Sequence, residues 1–322
     1  MPQLVLHTGG NAALLNGLAT SLLEQRGLLR QQGIGLRFRG WQAPQQQWRE
    51  LASAMATRRH EPWRQALRWQ QRWHRDVWLC SGGFHRCVLR ESRLNHWRDW
   101  LEGQGLSLIV VVHLVAPRQE SWQRFVAQTL RLKRARRQPQ PAKEALLPNE
   151  LYNALIETAG VRGARFVLHS GPGPTDWPAL LTPQDDIRSA LERPCWPQAH
   201  APTDWRAFAL SLRLLQLQPT GLSQGGSRGR WRRAIGAAAA TLPSLHQAQA
   251  QQLALEGGWQ PPAGAELQNS LQRFASRVWG CPWPEETSAD PPQAPNSGEQ
   301  ALAEQRRQID ASAAQLLQQL QG

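Results

Sequence analysis

The stretch of this sequence best suited to chemistry is Leu4–Gly33, LVLHTGGNAALLNGLATSLLEQRGLLRQQG. Within it, Thr8-Gly9-Gly10-Asn11 brings together a hydroxyl, two glycines that let the backbone turn tightly, and a side-chain amide. Such a turn, set between an apolar run and a helix, leaves the first helical amides without intrahelical partners. Those amides and the helix dipole favour an anion, a phosphate above all. Thr8, Gly9, Gly10 and Asn11 are therefore the candidate anion-binding residues. A tight strand-to-helix turn with no ligand has the same composition.

The elements that must position this turn follow from hydrophobic periodicity. Leu4-Val5-Leu6 is long enough for a buried strand, and Leu14, Leu15, Leu18, Leu22 and Leu23 recur at helical spacing, with Gly27 and Gly33 permitting an exit. A second short strand is expected over Ile34–Phe38, then two helices between Trp41 and Arg75, with Pro62 near the start of the second and Trp63, Leu67 and Trp73 turned towards the core. Asp76–Cys80 reads as a strand ending in the glycine turn Ser81-Gly82-Gly83, and Leu94–Leu101 as a helix. Leu106–Val115 is the clearest buried strand, its nearly continuous apolar run suiting a parallel strand covered on both faces. Helices over Glu120–Lys133 and Asn149–Thr158 and a strand over Ala164–His169 continue the alternation.

Strands alternating with helices predict an α/β fold. Leu4–His7, Val77–Cys80, Leu108–Leu114 and Arg165–Leu168 should share one mostly parallel sheet with Leu108–Leu114 central, and Trp205 onwards should be helical. Pro282–Gly298, rich in Pro, Glu, Ser and Asn, reads as a disordered linker. Beyond it, Leu302, Ile309, Ala313, Leu316 and Leu320 form the stripe of an amphipathic terminal helix that docks onto the body or pairs with another chain.

With 37 Lys and Arg against 24 Asp and Glu, the 322-residue chain carries a formal charge of +13. That field favours anionic partners: phosphorylated nucleotides, acidic glycans, nucleic acid or an anionic membrane surface. Sixteen Trp accompany one Tyr and six Phe, and many Trp adjoin Arg or Gln, which fits helix packing or stacking on sugar and base faces. The spacing of Cys80, Cys87, Cys195 and Cys281 gives little support to a zinc site or a disulfide framework, so no metal is expected. Leu106–Leu114 is too short to span a bilayer and the first residues do not read as a leader, which points to a cytoplasmic protein.

Leu6-His7-Thr8-Gly9 and Gly33-Ile34 resemble the flanks of the 5′-phosphosulfate loop of the bacterial and glycan-type sulfotransferase family, whose fold is P-loop-like. The core of the motif departs from the family: Ala12 and Ala13 stand where its Lys and Thr belong. A second part of the resemblance is His113-Leu114-Val115-Ala116-Pro117-Arg118, then Ser121, Phe125 and Gln128. There the family places an Arg and a Ser on the 3′-phosphate of the donor, here Arg118 and Ser121, displaced by a few residues. Where the family has a Ser-Ser-Glu element, this chain has Ser81-Gly82-Gly83, and His85 is the nearest proton acceptor.

The resemblance implies a three-layer, P-loop-like α/β domain over residues 1–280, and composition and apolar spacing add a linker over 281–298 and the terminal helix over 299–322. It implies transfer of sulfuryl from 3′-phosphoadenosine 5′-phosphosulfate to a hydroxyl of a saccharide or similar acceptor. His85 would then be catalytic, and Asp176 or His169 could face the acceptor. Two alternatives stay open: a catalytically inactive sulfotransferase-like binding protein, and a basic polyanion- or nucleic-acid-binding protein.

Overall fold

The computed structural model of the protein describes residues 2–38, 43–68, 75–132, 152, 155–156, 164–169, 204–217, 227–261, 264–283 and 297–321. Five strands form one sheet: β1 (Gln3–Thr8), β2 (Ile34–Gly35), β3 (Asp76–Cys80), β4 (Ser107–Val115) and β5 (Ala164–His169). Their order is β2-β3-β1-β4-β5 and every pairing is parallel. All four of the longer expected strands are in it. β1 is the middle strand, and β4 lies beside it between β1 and β5.

Side chains alternate between the two faces of a strand, yet five successive residues of β1 and the last six of β4 are buried. Both faces must therefore be covered, which gives a three-layer α/β arrangement. The Thr8–Asn11 turn leads into α1 (Ala12–Glu24), and α2 (Arg26–Gln31) follows at once. Gly27 is thus helical rather than an exit. Gly33, at φ +77°, makes that turn.

β2 pairs over two residues only, shorter than the run Ile34–Phe38 suggests. The reason lies in α3 (Pro44–Ala56). The Trp48 indole donates to Leu36 O at 2.6 Å, and Phe38 N donates to Gln47 Oε1 at 2.8 Å. These bonds draw the backbone off the sheet edge. α4 (Glu61–Leu67) carries Pro62 in its first turn, and Trp63 and Leu67 are buried as expected, while Trp73 lies outside the described residues. The Trp63 indole donates to Leu51 O and that of Trp97, on α6 (Glu91–Gly103), to Met55 O. These tryptophans are packing anchors whose single polar atom is satisfied by backbone.

The chain divides into two compact units. The first comprises Met1–Ala116, Glu144–Ala201 and Ala265–Glu285; the second comprises Pro117–Lys143, Pro202–Gly264 and Glu286–Gly322. The first holds the sheet, helices α1 to α6, with the short α5 at His85–Val88, and a helix that lies later in sequence, Ala265–Val278. The second is helical among the described residues: α7 (Pro117–Leu130), α8 (Trp205–Leu217), α9 (Ser227–Thr241) and α10 (Gln247–Glu256). With α11 assigned to Ala265–Val278, the terminal helix is α12 (Ser297–Gln321), and it belongs to the second unit.

Leu302, Ile309, Ala313 and Leu316 of α12 are buried, and the stripe docks against α8, where Arg213 meets Asp310 at 2.7 Å. Of the expected linker, residues 284–296 lie outside the described residues, as do most of the expected helix Asn149–Thr158, the segment with Asp176, and Cys195. No helix among the described residues is long and apolar enough to cross a membrane.

Candidate site at the carboxyl edge of the sheet

In the order β2-β3-β1-β4-β5, the chain steps from β1 to one side of the sheet and crosses back over it between β3 and β4. The strand order therefore reverses between β1 and β4. At such a switch point the loops leave in opposite directions and open a crevice beyond the carboxyl ends, where α/β proteins bind ligands. The turn that occupies it here is Thr8-Gly9-Gly10-Asn11.

Its geometry follows from its residue types. Gly9 sits against the backbone of β4: a β-carbon there would run into the carbonyl oxygen of His113. Only glycine permits this approach. Asn11 caps α1, its Oδ1 accepting from Leu14 N at 2.9 Å, so one of the open amides already has a partner. Gly10 and Ala12 are exposed, and no acidic residue stands in the first turn of α1. Thr8 is fully buried, and its Oγ1 has no hydrogen-bond partner among the described residues. An unsatisfied buried hydroxyl is costly and is a group that a bound polar ligand could engage.

Beyond β3, Ser81 Oγ accepts from Gly83 N at 3.1 Å and starts a turn of 3-10 helix, Gly82–Phe84, from which α5 begins at His85. His85 Nε2 and the Tyr152 hydroxyl are 2.8 Å apart, with Tyr152 buried against Phe166. Burial lowers the His85 pKa to about 4. The ring is neutral at pH 7 and tied to a phenol, a state in which it can accept a proton only weakly.

Arg118 and Ser121 lie on the first turn of α7, in the second unit, whereas Thr8, Gly9, Gly10, Asn11 and His85 belong to the first. In that same turn Glu120 pairs with Arg124 at 2.8 Å, and burial nevertheless raises its pKa.

The structure brings together three other residues. His7 Nδ1 lies 3.0 Å from His113 Nε2, and His113 Nδ1 lies 2.7 Å from His169 Nε2. The rings meet edge to edge, with centroids 5.3 and 5.0 Å apart and planes inclined by 26° and 30°. His7 pairs in register with Val111, and His113 with Val167, so each ring stands two residues further towards the carboxyl edge than the last. His7 and His113 are buried, and His169, the final residue of β5, is partly exposed.

Burial, with a smaller contribution from His169, lowers the His7 pKa to about 3. Burial likewise lowers His169 to about 4 and pushes His113 well down. All three are neutral imidazoles at pH 7. Sequence reasoning reached His169 singly and missed the set. The signal was a repeated strand ending, LVLH at Leu4–His7, VVVH at 110–113 and FVLH at 166–169.

Cys80 and Cys87 offer no nucleophile: burial pushes the Cys80 thiol far up and that of Cys87 up to about 12. Among the described residues no group of three His, Cys, Asp or Glu is placed to hold a metal ion. The three histidines spend their facing nitrogens on one another. No family model, no curated protein and no solved structure matches this chain.

Proposed function

We propose that the protein is sulfotransferase-like and binds a phosphorylated nucleotide of the 3′-phosphoadenosine 5′-phosphosulfate kind, with a P-loop-like first unit. The observation that carries this reading is the glycine turn at the switch point. Thr8–Asn11 joins the middle strand to α1, is pressed onto β4 through Gly9, and holds the buried Thr8 hydroxyl without a partner. The positive charge of the chain supports an anionic ligand in general. Arg118 and Ser121 take the 3′-phosphate role only through the resemblance. In the transfer reaction a saccharide or similar acceptor would lose its hydroxyl proton to a base, with His85 the residue the resemblance puts forward.

Binding without turnover is the second reading, and particular features favour it. Ala12 and Ala13 replace the cationic and hydroxyl groups that would stabilise charge on the transferring sulfuryl group. His85 is held by Tyr152 with its basicity lowered.

Titration calorimetry with 3′-phosphoadenosine 5′-phosphate tests the binding, and transfer of labelled sulfate to mixed saccharide acceptors separates the two readings. Saturable binding that survives raised salt is expected. Absence of binding, or an affinity that collapses with salt as generic charge attraction does, overturns the nucleotide site and leaves a polyanion-binding protein.

A further inference from the structure

We propose that His7, His113 and His169 form one tautomeric relay, in which His7 and His113 are positioning residues that fix the hydrogen-bonding character of His169 at the carboxyl edge. The inference concerns the regulation of the proposed ligand edge and rests on that reading only for its use. The relay itself stands on the geometry of the three rings.

A neutral imidazole carries one proton, on Nδ1 or on Nε2, and the other nitrogen accepts. The contact between His7 Nδ1 and His113 Nε2, at 3.0 Å, needs one proton. So does the contact between His113 Nδ1 and His169 Nε2, at 2.7 Å. Suppose His7 is protonated on Nδ1. His113 must then accept at Nε2 and carry its own proton on Nδ1, so His169 accepts at Nε2 and is also protonated on Nδ1. Suppose instead His169 donates from Nε2. Then His113 donates from Nε2 and His7 is protonated on Nε2. Any mixed assignment sets two N–H groups, or two lone pairs, face to face.

Two arrangements therefore satisfy both bonds: all three rings protonated on Nδ1, or all three on Nε2. Each holds three protons. Passing from the first to the second needs a proton gained at the buried His7 Nε2 and one lost at His169 Nδ1, with each internal proton shifting across one hydrogen bond, so the exchange with water requires the His7 end to open. Charge does not rest on the chain, because burial disfavours the imidazolium at every ring.

The chain spans the part of the sheet that matters for the proposed site. His7 precedes Thr8, Gly9 lies against the backbone of His113, and His169 ends β5 with part of its surface exposed. A group that accepts from His169 Nδ1–H holds the all-Nδ1 state, and a group that donates to His169 Nδ1 holds the all-Nε2 state. In either case the state of His7, buried two strands away, follows that of His169.

Long-range proton–nitrogen correlation spectra of the full-length protein, labelled with nitrogen-15 in histidine, read the tautomer of each ring at pH 7. The three rings are expected to share one tautomer, and His113→Phe should convert His7 and His169 from a shared tautomer to independent mixtures. Should that variant not fold, His113→Leu breaks the same two bonds with a smaller strand residue and gives the same readout at His7 and His169. Different tautomers among the three rings of the unsubstituted protein would overturn the relay, as would variants that leave the remaining rings unchanged. Neither measurement uses a nucleotide, so loss of the donor-site reading and loss of the relay show separately.

Discussion

The carbonyl oxygen of His113 occupies the space that a β-carbon on Gly9 would need. The turn after the middle strand and the neighbouring strand are thus in backbone contact, and the clash in a Gly9→Ala variant is with backbone that cannot swing aside. That substitution should destabilise the protein by about 2 kcal/mol or more, the range of overpacking and strain in a close-packed site. Gly27→Ala is the matched contrast: Gly27 lies in α2, and an added β-carbon there meets nothing. It should stabilise by up to about 1 kcal/mol through helix propensity. Denaturant unfolding of the two variants checks both signs.

Thr8→Val keeps the shape of the side chain and removes the buried hydroxyl. Since that oxygen has no hydrogen-bond partner among the described residues, the melting temperature should hold or rise. If the hydroxyl meets a ligand phosphate, affinity for 3′-phosphoadenosine 5′-phosphate should fall by about 1.5 to 3 kcal/mol, the value of a hydrogen bond to a charged group. Calorimetry beside thermal melts reads both effects. Unchanged affinity with intact binding would place the nucleotide elsewhere.

Acid should unfold the first unit early. His7 has a folded pKa of about 3, and His85 and His169 of about 4, all below the ordinary 6.5 and all through burial first. The unfolded chain therefore binds more protons than the folded one below pH 6.5. The stability present above that pH is lost as pH falls towards the folded values, by about 1.4 kcal/mol per pH unit for each such group. Urea midpoints measured between pH 7 and pH 4 should drop steeply, and His169→Gln should flatten the slope.

In the second unit, apolar burial should outweigh surface charge. Ile309 and Leu316 of α12 are buried, whereas the Arg213–Asp310 pair is more than a third exposed at both partners. Ile309→Ala should cost about 2 to 5 kcal/mol, and Arg213→Ala about 1 kcal/mol or less. Thermal melts that ranked the two variants the other way would show that α12 is held by its charges.

Periodicity and apolar runs made the sheet legible. Leu4–Leu6 and Leu108–Leu114 are too continuously apolar to be anything but strands with both faces covered, and the helices between them required parallel pairing. β2 was overestimated because Gln47 and Trp48, distant in sequence, take the backbone groups of Leu36 and Phe38. The turn residues of the candidate site were visible because glycine and a capping asparagine act locally. The histidine relay was not. Each of its members is a single residue in the carboxyl half of its strand, and only the register of β1, β4 and β5 makes them neighbours.

The first unit is assembled from three separate stretches of chain, the last of them Ala265–Glu285. From that stretch the Trp279 indole donates to Phe166 O at 3.0 Å, and Phe274 packs edge-on against the Phe166 ring. During synthesis, therefore, β1, β3 and β4 emerge from the ribosome long before the segment that covers β5. The nascent sheet must wait with that edge bare, and contacts of such long sequence separation form slowly. A chain halted between His169 and Ala265 would carry all five strands and still lack this cover, so such partial products should be substrates for chaperones or proteases rather than small working domains.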